Sequence, residues 1–168
     1  MMHMPDPTFS QTQIAERIAE LGRSIRDDAG ELDILLIGIL KGSCVFLADL
    51  LRATPGRVNY QFVDVVRHGG GEEAVGINFL THFDMAGKTV YLLKDVVATG
   101  VIETYLLDQF RVRKPAALKL VALLDRPQAR RVLLEVDFTA FEVESGVFVG
   151  YGLEHEGGYE NLPYIAAL

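Results

Sequence analysis

The chain has 168 residues, 49% of them hydrophobic and 23% charged, which is the composition of a globular domain rather than of a disordered chain. Its net charge of −7 argues against general nucleic-acid binding, because lysine and arginine must outweigh phosphate repulsion there. No apolar run approaches the roughly 20 residues that span a membrane, and a single cysteine excludes an internal disulfide and a zinc cluster. We expect one cytoplasmic domain spanning residues 1–168, with neither nucleic acid nor membrane as a partner.

Hydrophobic periodicity and turn residues predict helices that alternate with strands. A capping-box pattern in Ser10–Gln13 opens the first helix, and DILLIGIL is typical of a strand buried on both faces. In chain order we predict a helix that stops at Gly30, a strand at 33–40, a helix at 43–52, strands at 58–66, 77–80 and 89–93, a helix at 101–112, and strands at 118–124, 138–143 and 147–149. Residues 67–73, RHGGGEE, are predicted to form a mobile loop. The alternation favours an α/β fold with a mostly parallel sheet and helices on both faces.

Two loops follow strands of this sheet, at the edge where such folds bind ligands. Lys41 and Gly42 follow the first strand and offer an ammonium group and an accessible backbone to an anion. The segment Asp95–Gly100 runs into a helix start, where the Thr99 hydroxyl and the helix N-terminus suit a phosphate. Taken alone, each pattern also describes an ordinary turn lysine or a capped helix.

Four blocks of sequence together resemble the hypoxanthine-guanine phosphoribosyltransferases. They are LLIGILKGSCVFLADLLR, the strand, loop and helix at 89–110, LKLVALLDRP, and FEVESGVFVGYGLEHEGGYENLPYI. The resemblance implies the type I phosphoribosyltransferase fold, with a mostly parallel central sheet, helices on both faces and a small hood from the terminal segments. It also implies transfer of a phosphoribosyl group from phosphoribosyl pyrophosphate to hypoxanthine or guanine, with Mg²⁺, in a homodimer or homotetramer.

The resemblance assigns a role to several residues, and one loop is expected to contain a cis peptide bond. The assigned roles are pyrophosphate binding for Lys41 and Gly42, ribose or phosphate binding for Asp95, Thr99 and Gly100, purine binding for Arg126, Val147, Phe148 and Glu154, and magnesium ligation for Asp95 and Glu154. Arg126 stands where the family has a lysine that binds the purine 6-oxo group. Glu154 stands where the family has an aspartate.

The phosphate side departs from the family pattern, Glu-Asp-x-x-Asp-[Thr/Ser]-Gly-x-Thr. Here the loop reads KDVVATGVI, so the formal charge of the three acidic positions changes from −3 to 0. Ala98 replaces the candidate proton acceptor, Lys94 replaces an acid, and Ile102 replaces a phosphate-binding hydroxyl. Glu160 replaces an arginine that contacts pyrophosphate, which predicts like-charge repulsion. The family's Ser-Tyr pair is also missing, with Asp64–Val66 in its place.

Three interpretations follow, and the sequence leaves them open. The first is a purine phosphoribosyltransferase that is slow or shifted in substrate. The second is a non-catalytic protein that binds a purine, a nucleotide or another ligand, or that regulates a true enzyme by hetero-oligomerising. The third is an enzyme of another class with Lys94 as a new functional group.

Four further side chains carry predictions of their own. Lys94 meets either a phosphate or a neighbouring acid such as Asp95. His155 is a candidate replacement base, with a solvated histidine favoured. Cys44 is predicted to be buried and inert, and Arg130 and Arg131 are predicted to face solvent.

Overall fold

The computed structural model describes residues 4–68 and 74–168. Its elements are α1 (Gln11–Ala29), β1 (Ile34–Ile39), α2 (Cys44–Ala53), β2 (Val58–His68), β3 (Ala74–Phe79), β4 (Thr89–Val97), α3 (Val101–Arg111), β5 (Ala117–Asp125), a 3₁₀ helix (Pro127–Ala129), β6 (Phe138–Glu142), β7 (Phe148–Val149) and β8 (Ala166–Ala167). Among the described helices, none is both long enough and apolar enough to cross a membrane.

One six-stranded sheet organises the protein, in the order β3-β2-β1-β4-β5-β6. The pairs β1–β2, β1–β4, β4–β5 and β5–β6 are parallel, and β3 adds an antiparallel edge. Strands β1 and β4 are neighbours, with Gly38 opposite Leu93. The carboxyl ends of these two strands therefore lie side by side, which brings the two predicted anion-binding loops to the same edge.

The sheet is buried on both faces, as the apolar run in β1 predicts. Ile34 and Leu36 pack with α1 and α2, whereas Leu35 and Ile37 pack with α3 on the opposite face. Successive side chains of a strand point to opposite faces, so every residue of β1 must be apolar or small. The α/β prediction with helices on both faces is confirmed.

Helix α1 begins and ends where its local sequence predicts. The Ser10 side chain accepts from the Gln13 backbone N–H, and the Gln13 side chain accepts from the Ser10 N–H at 2.8 Å. At the other end the Gly30 N–H donates to the Arg26 carbonyl at 3.0 Å. Both ends are fixed by contacts within three or four residues, which explains why the sequence alone defines this helix.

A small hood lies over the carboxyl edge of the sheet and is built from both terminal segments. Strands β7 and β8 pair antiparallel, and Phe9 forms a bridge with Ile165. The backbone N–H groups of Thr8 and Phe9 both donate to the Ile165 carbonyl, at 2.8 and 2.9 Å. The predicted hood is therefore present.

Three strand boundaries differ by two or more residues from the sequence prediction: the ends of β4 and β2, and the start of β3 at Ala74. Strand β4 continues through Lys94 to Val97, because β5 pairs with it as far as Val97 opposite Asp125. Strand β2 likewise continues to His68, because it pairs with β3, and this pairing includes Asp64–Val66. Residues 69–73 of the predicted mobile loop lie outside the described residues.

The prediction that Cys44 is buried is wrong. Cys44 is the first residue of α2, and its side chain is exposed. The face of α2 that packs on the sheet is carried instead by Phe46, Leu47 and Leu50.

Candidate active site

The turn after β1 presents Lys41 at the carboxyl edge of the sheet. The peptide bond between Leu40 and Lys41 is cis, the form that the resemblance implies for this loop. The buried Ser43 hydroxyl donates to the Ile39 carbonyl at 2.6 Å, and the Cys44 N–H donates to the Lys41 carbonyl at 3.0 Å. These two bonds fold the turn back on the strand and leave the Lys41 side chain exposed.

Gly42 is the point at which three separate segments meet. A Cβ atom built on Gly42 would lie 1.9 Å from Asp95 Oδ2, so only hydrogen fits between this turn and β4. On the hood side, a Cβ atom on Gly152 would lie 3.1 Å from the Gly42 carbonyl oxygen. The predicted pyrophosphate loop, the predicted ribose acid and the C-terminal hood are therefore in direct contact.

Asp95 is held by its own neighbours. Its Oδ1 accepts from the Val96 N–H at 2.8 Å and from the Lys94 ammonium, while Oδ2 packs against Gly42. The side chains of Lys94 and Asp95 are only 19% and 21% exposed. Of the two interpretations of Lys94, the local ion pair is the one present in this structure.

Lys41 forms ion pairs with two glutamates of the hood. Its Nζ lies 2.6 Å from Glu160 Oε1 and 3.4 Å from Glu154 Oε2. Glu160 and then Glu154 raise the pKa of Lys41, so this amine stays charged. The Gly157 N–H and then Lys41 lower the pKa of Glu154, so this carboxyl stays ionised. Glu160 is predicted to repel an anion here. It also competes with that anion for Lys41, because it already pairs with the lysine.

The loop into α3 takes its shape from Gly100. This residue has φ of +81°, a left-handed conformation that glycine adopts without strain. A Cβ atom there would also lie 3.0 Å from Leu134 Cδ2 and 3.1 Å from Val132 Cγ2. The Thr99 hydroxyl accepts from the Val101 N–H at 3.5 Å, at the mouth of the helix N-terminus. The conformation of Gly100 and the Thr99 hydrogen bond let α3 begin with only three residues between it and the end of β4.

Arg130 is a site residue that the sequence prediction missed. The expectation that it faces solvent is wrong, because its side chain is 14% exposed and pairs with Asp125. Its Nη1 donates to the carbonyls of Ala98 at 2.7 Å and Val97 at 3.1 Å. Arg130 thereby fixes the backbone of the loop that precedes Gly100. Neighbouring Arg131 is exposed, as predicted.

Glu103 is a second missed residue and lies beneath the same loop. It is the acid in the first turn of α3, and it is only 4% exposed. Burial raises the pKa of its carboxyl, Asp95 adds to that rise, and Lys94 and Arg130 oppose it. Its position three residues after Gly100 is the sequence signal that could have identified it, because acids in that position cap helices.

The residues predicted to bind a purine are less closely connected. The Arg126 N–H donates to the Val97 carbonyl at 2.9 Å, which places Arg126 beside the β4 loop. Its Nε is buried and has no partner among the described residues. Val147 and Phe148 lie at the hood strand β7, where the Val147 carbonyl accepts from the Leu168 N–H at 2.9 Å. The contacts of the described residues do not join these two side chains to Lys41 or Asp95.

His155 stands at the tip of the hood. Its backbone forms a bridge with Gly158, and its side chain is 40% exposed, with Nε2 3.9 Å from Glu156 Oε1. This is the environment of a solvated histidine, the interpretation that the sequence favours.

Known proteins share both the sequence pattern and the fold. A family model described as phosphoribosyl transferase domain matches residues 9–156. The hypoxanthine-guanine phosphoribosyltransferase of Bacillus subtilis (strain 168) is 33% identical over 163 residues, which cover 95% of this chain and 91% of that protein. This chain belongs to the hypoxanthine-guanine phosphoribosyltransferase family. A crystal structure of the family member from Bacillus anthracis has a TM-score of 0.90 at 33% identity over 98% of both chains. A structure of the Trypanosoma cruzi hypoxanthine phosphoribosyltransferase, in a ternary complex with substrates, has a TM-score of 0.90. It is 31% identical and the match covers 96% of this chain and 94% of that one.

The two acids predicted to ligate magnesium, Asp95 and Glu154, already have partners here. One oxygen of Asp95 accepts from Lys94 and Val96, and the other packs on Gly42. Glu154 accepts from the Gly157 N–H at 2.7 Å and pairs with Lys41. Residues 4–68 and 74–168 contain no group of three or more His, Cys, Asp or Glu side chains that could hold a metal ion. The site therefore does not fit a resident magnesium ion.

Proposed function

We propose that this protein transfers a 5-phosphoribosyl group from phosphoribosyl pyrophosphate to hypoxanthine or guanine, and that it does so slowly. Family membership supports the reaction type. The observation that carries the proposal is the contact at Gly42, which joins the turn of Lys41, the carboxylate of Asp95 and the hood in one crevice. Ala98 is the reason for the low rate, because its methyl group cannot accept a proton.

In this proposal the residues act mainly by positioning their ligands. Lys41 and the accessible backbone of Gly42 bind pyrophosphate, and Asp95 binds the ribose hydroxyls. Thr99 and Gly100, at the N-terminus of α3, bind the 5′-phosphate, since helix N-termini favour anions.

Arg126, Val147, Phe148 and Glu154 form the purine side of the proposed site. The guanidinium of Arg126 donates to the 6-oxo group in place of a lysine ammonium, and Val147 and Phe148 lie against the ring. Glu154 faces the purine's 2-position. The exposure of Val147 and of the Glu154 side chain in the free protein supports their availability to a ligand.

The chemical step breaks the bond between the anomeric carbon and the pyrophosphate oxygen and forms a bond from that carbon to a purine nitrogen. The purine nitrogen must also lose its proton. Since Ala98 replaces the expected acceptor, that proton leaves to water. Positioning and electrostatic stabilisation still contribute to the rate.

A second candidate function is non-catalytic binding of a purine or nucleotide on the same fold. Two observations favour it. Ala98 offers no proton acceptor, and the Lys41 ammonium is held by Glu160 at 2.6 Å in the free protein. An anionic ligand must displace that carboxylate, which weakens binding of phosphoribosyl pyrophosphate.

Calorimetric titration with phosphoribosyl pyrophosphate, followed by hypoxanthine in the same cell, separates the two functions. We expect binding and then slow nucleotide formation, about 10²–10⁴-fold below the rate of a relative that retains the base. Binding without nucleotide formation would establish the second function, and no binding would contradict both. Asp95→Ala should abolish binding, whereas Asp108→Ala, an exposed acid on α3 paired with Arg111, should leave it unchanged.

We also propose that the protein forms a homodimer or homotetramer in the cytoplasm. Family membership supports it, and light scattering measures the assembly.

A further inference from the structure

The Lys94 ammonium pairs with Asp95, one of the two acids predicted to ligate magnesium. We propose that the Lys94 ammonium takes the place of a divalent cation in this crevice, so that the protein holds no metal ion of its own and binds its phosphorylated ligand without one. The inference rests on the proposed function for the identity of that ligand, and on the geometry of Asp95 for the absence of the metal.

The geometry leaves one oxygen of Asp95 engaged and packs the other against Gly42. Oδ1 already accepts from Lys94 Nζ and from the Val96 N–H at 2.8 Å. Oδ2 lies so close to Gly42 that a Cβ atom there would be 1.9 Å away. A divalent cation needs carboxylate oxygens together with several waters. At Oδ1 it would have to displace the lysine, and at Oδ2 it would bind a carboxylate whose charge the Lys94 ammonium already balances.

Lys94 is held firmly enough to resist that exchange. Its side chain is 19% exposed, and Asp95 and the buried Glu103 both lie within electrostatic reach of it. An ammonium group paired with an acid in a partly desolvated site is favoured electrostatically, whereas a second cation beside it is repelled.

The ammonium can also perform the electrostatic task of the metal toward a phosphate. It cancels the charge of Asp95, which would otherwise repel an approaching phosphate, and it is a hydrogen-bond donor that phosphates accept. Lys41 supplies a second ammonium on the other side of Gly42. A phosphorylated sugar therefore meets the Lys94 ammonium and, once it displaces Glu160, the Lys41 ammonium, both supplied by the protein.

A manganese titration followed by electron paramagnetic resonance tests the metal without any ligand. We expect the wild-type protein to bind Mn²⁺ with a Kd of about 1 mM or weaker, and Lys94→Glu to bind it at least roughly tenfold more tightly. Arg57→Glu makes the same charge change at an exposed position at the start of β2, and it should behave as wild type. Lys94→Met, which removes the ammonium without adding an acid, serves if the Glu variant does not fold, and it should also tighten Mn²⁺ binding. Tight Mn²⁺ binding by wild type, or equal affinities in all variants, would overturn the inference.

Calorimetry with phosphoribosyl pyrophosphate, once in EDTA and once in excess Mg²⁺, tests the ligand. We expect the two Kd values to agree within about threefold, a difference of under 1 kcal/mol. Binding that requires Mg²⁺ overturns the inference and leaves the proposed function intact. Binding in neither buffer contradicts the proposed function, and the manganese titration then still decides whether Lys94 replaces a metal ion.

Discussion

At the scale of single residues, the proposed slow turnover depends on Ala98. Its backbone is fixed by the 2.7 Å hydrogen bond from Arg130, so a longer side chain at this position would project from a defined point. We expect Ala98→Asp to raise kcat for nucleotide formation from hypoxanthine by about a hundredfold, because general-base catalysis contributes on the order of 10²–10⁴. Initial rates of nucleotide formation measure the change. Ala98→Asn, with the same shape and no proton acceptor, is the control, and an equal gain in that variant would contradict the role of the carboxylate.

At the scale of elements, Arg130 joins the end of β4 to the end of β5. Its guanidinium donates to the carbonyls of Val97, the last residue of β4, and of Ala98, the first residue of the loop that follows. It also pairs with Asp125, the last residue of β5. We expect Arg130→Met to lower the free energy of unfolding by roughly 3 kcal/mol, since it leaves a nearly buried carboxylate without a partner. Urea denaturation measures this. The adjacent Arg131 is exposed, so Arg131→Met should cost under about 0.5 kcal/mol. An equal loss of unfolding free energy in both variants would show that the Arg130 contacts do not stabilise the protein.

At the scale of the whole molecule, buried Glu103 links stability to pH. The pKa of its carboxyl is raised above the ordinary 4.5 by burial, despite the opposing charges of Lys94 and Arg130. Above pH 4.5 the unfolded chain loses this proton while the folded protein keeps it. The folded state is therefore destabilised as the pH rises from the unfolded pKa to the folded pKa of Glu103. Glu103→Gln removes the effect.

We therefore expect Glu103→Gln to become more stable relative to wild type as pH is raised from about 4 to about 8. Urea denaturation at a series of pH values gives the two curves. Glu135→Gln, at an exposed position, should run parallel to wild type. A difference between the Glu103→Gln and wild-type curves that shrinks with rising pH would show that Glu103 is better stabilised as an anion.

Local signals account for the parts of the structure that the sequence predicts well. The ends of α1 depend on Ser10, Gln13 and Gly30, whose partners are three or four residues away. The uninterrupted apolar run of β1 predicts directly that this strand is buried on both faces. The meeting of Lys41 and Asp95 at one edge follows from the parallel order of β1 and β4, so that part of the site was also predictable.

The parts that the sequence misses depend on partners distant in the chain. The end of β4 is set by pairing with Asp125, and no residue near Val97 signals it. Arg130 is buried because it bonds carbonyls 32 and 33 residues away, and carbonyls have no sequence signature. The pairing of Lys94 with Asp95 depends on the side-chain conformations at the end of β4, and charge counting alone cannot predict it.

The contact at Gly42 also explains how this crevice could accept so many substitutions. Its width is fixed where a glycine touches a carboxylate on one side and lies close to the backbone of Gly152 on the other. Lys94 pairs with Asp95 and Glu160 pairs with Lys41, and neither side chain forms the junction itself. Side chains around such a junction can exchange acid for base, or acid for methyl, while the dimensions of the cleft stay the same. The width of this crevice is thus set at Gly42, while its charge and its acid–base chemistry depend on the side chains around that glycine.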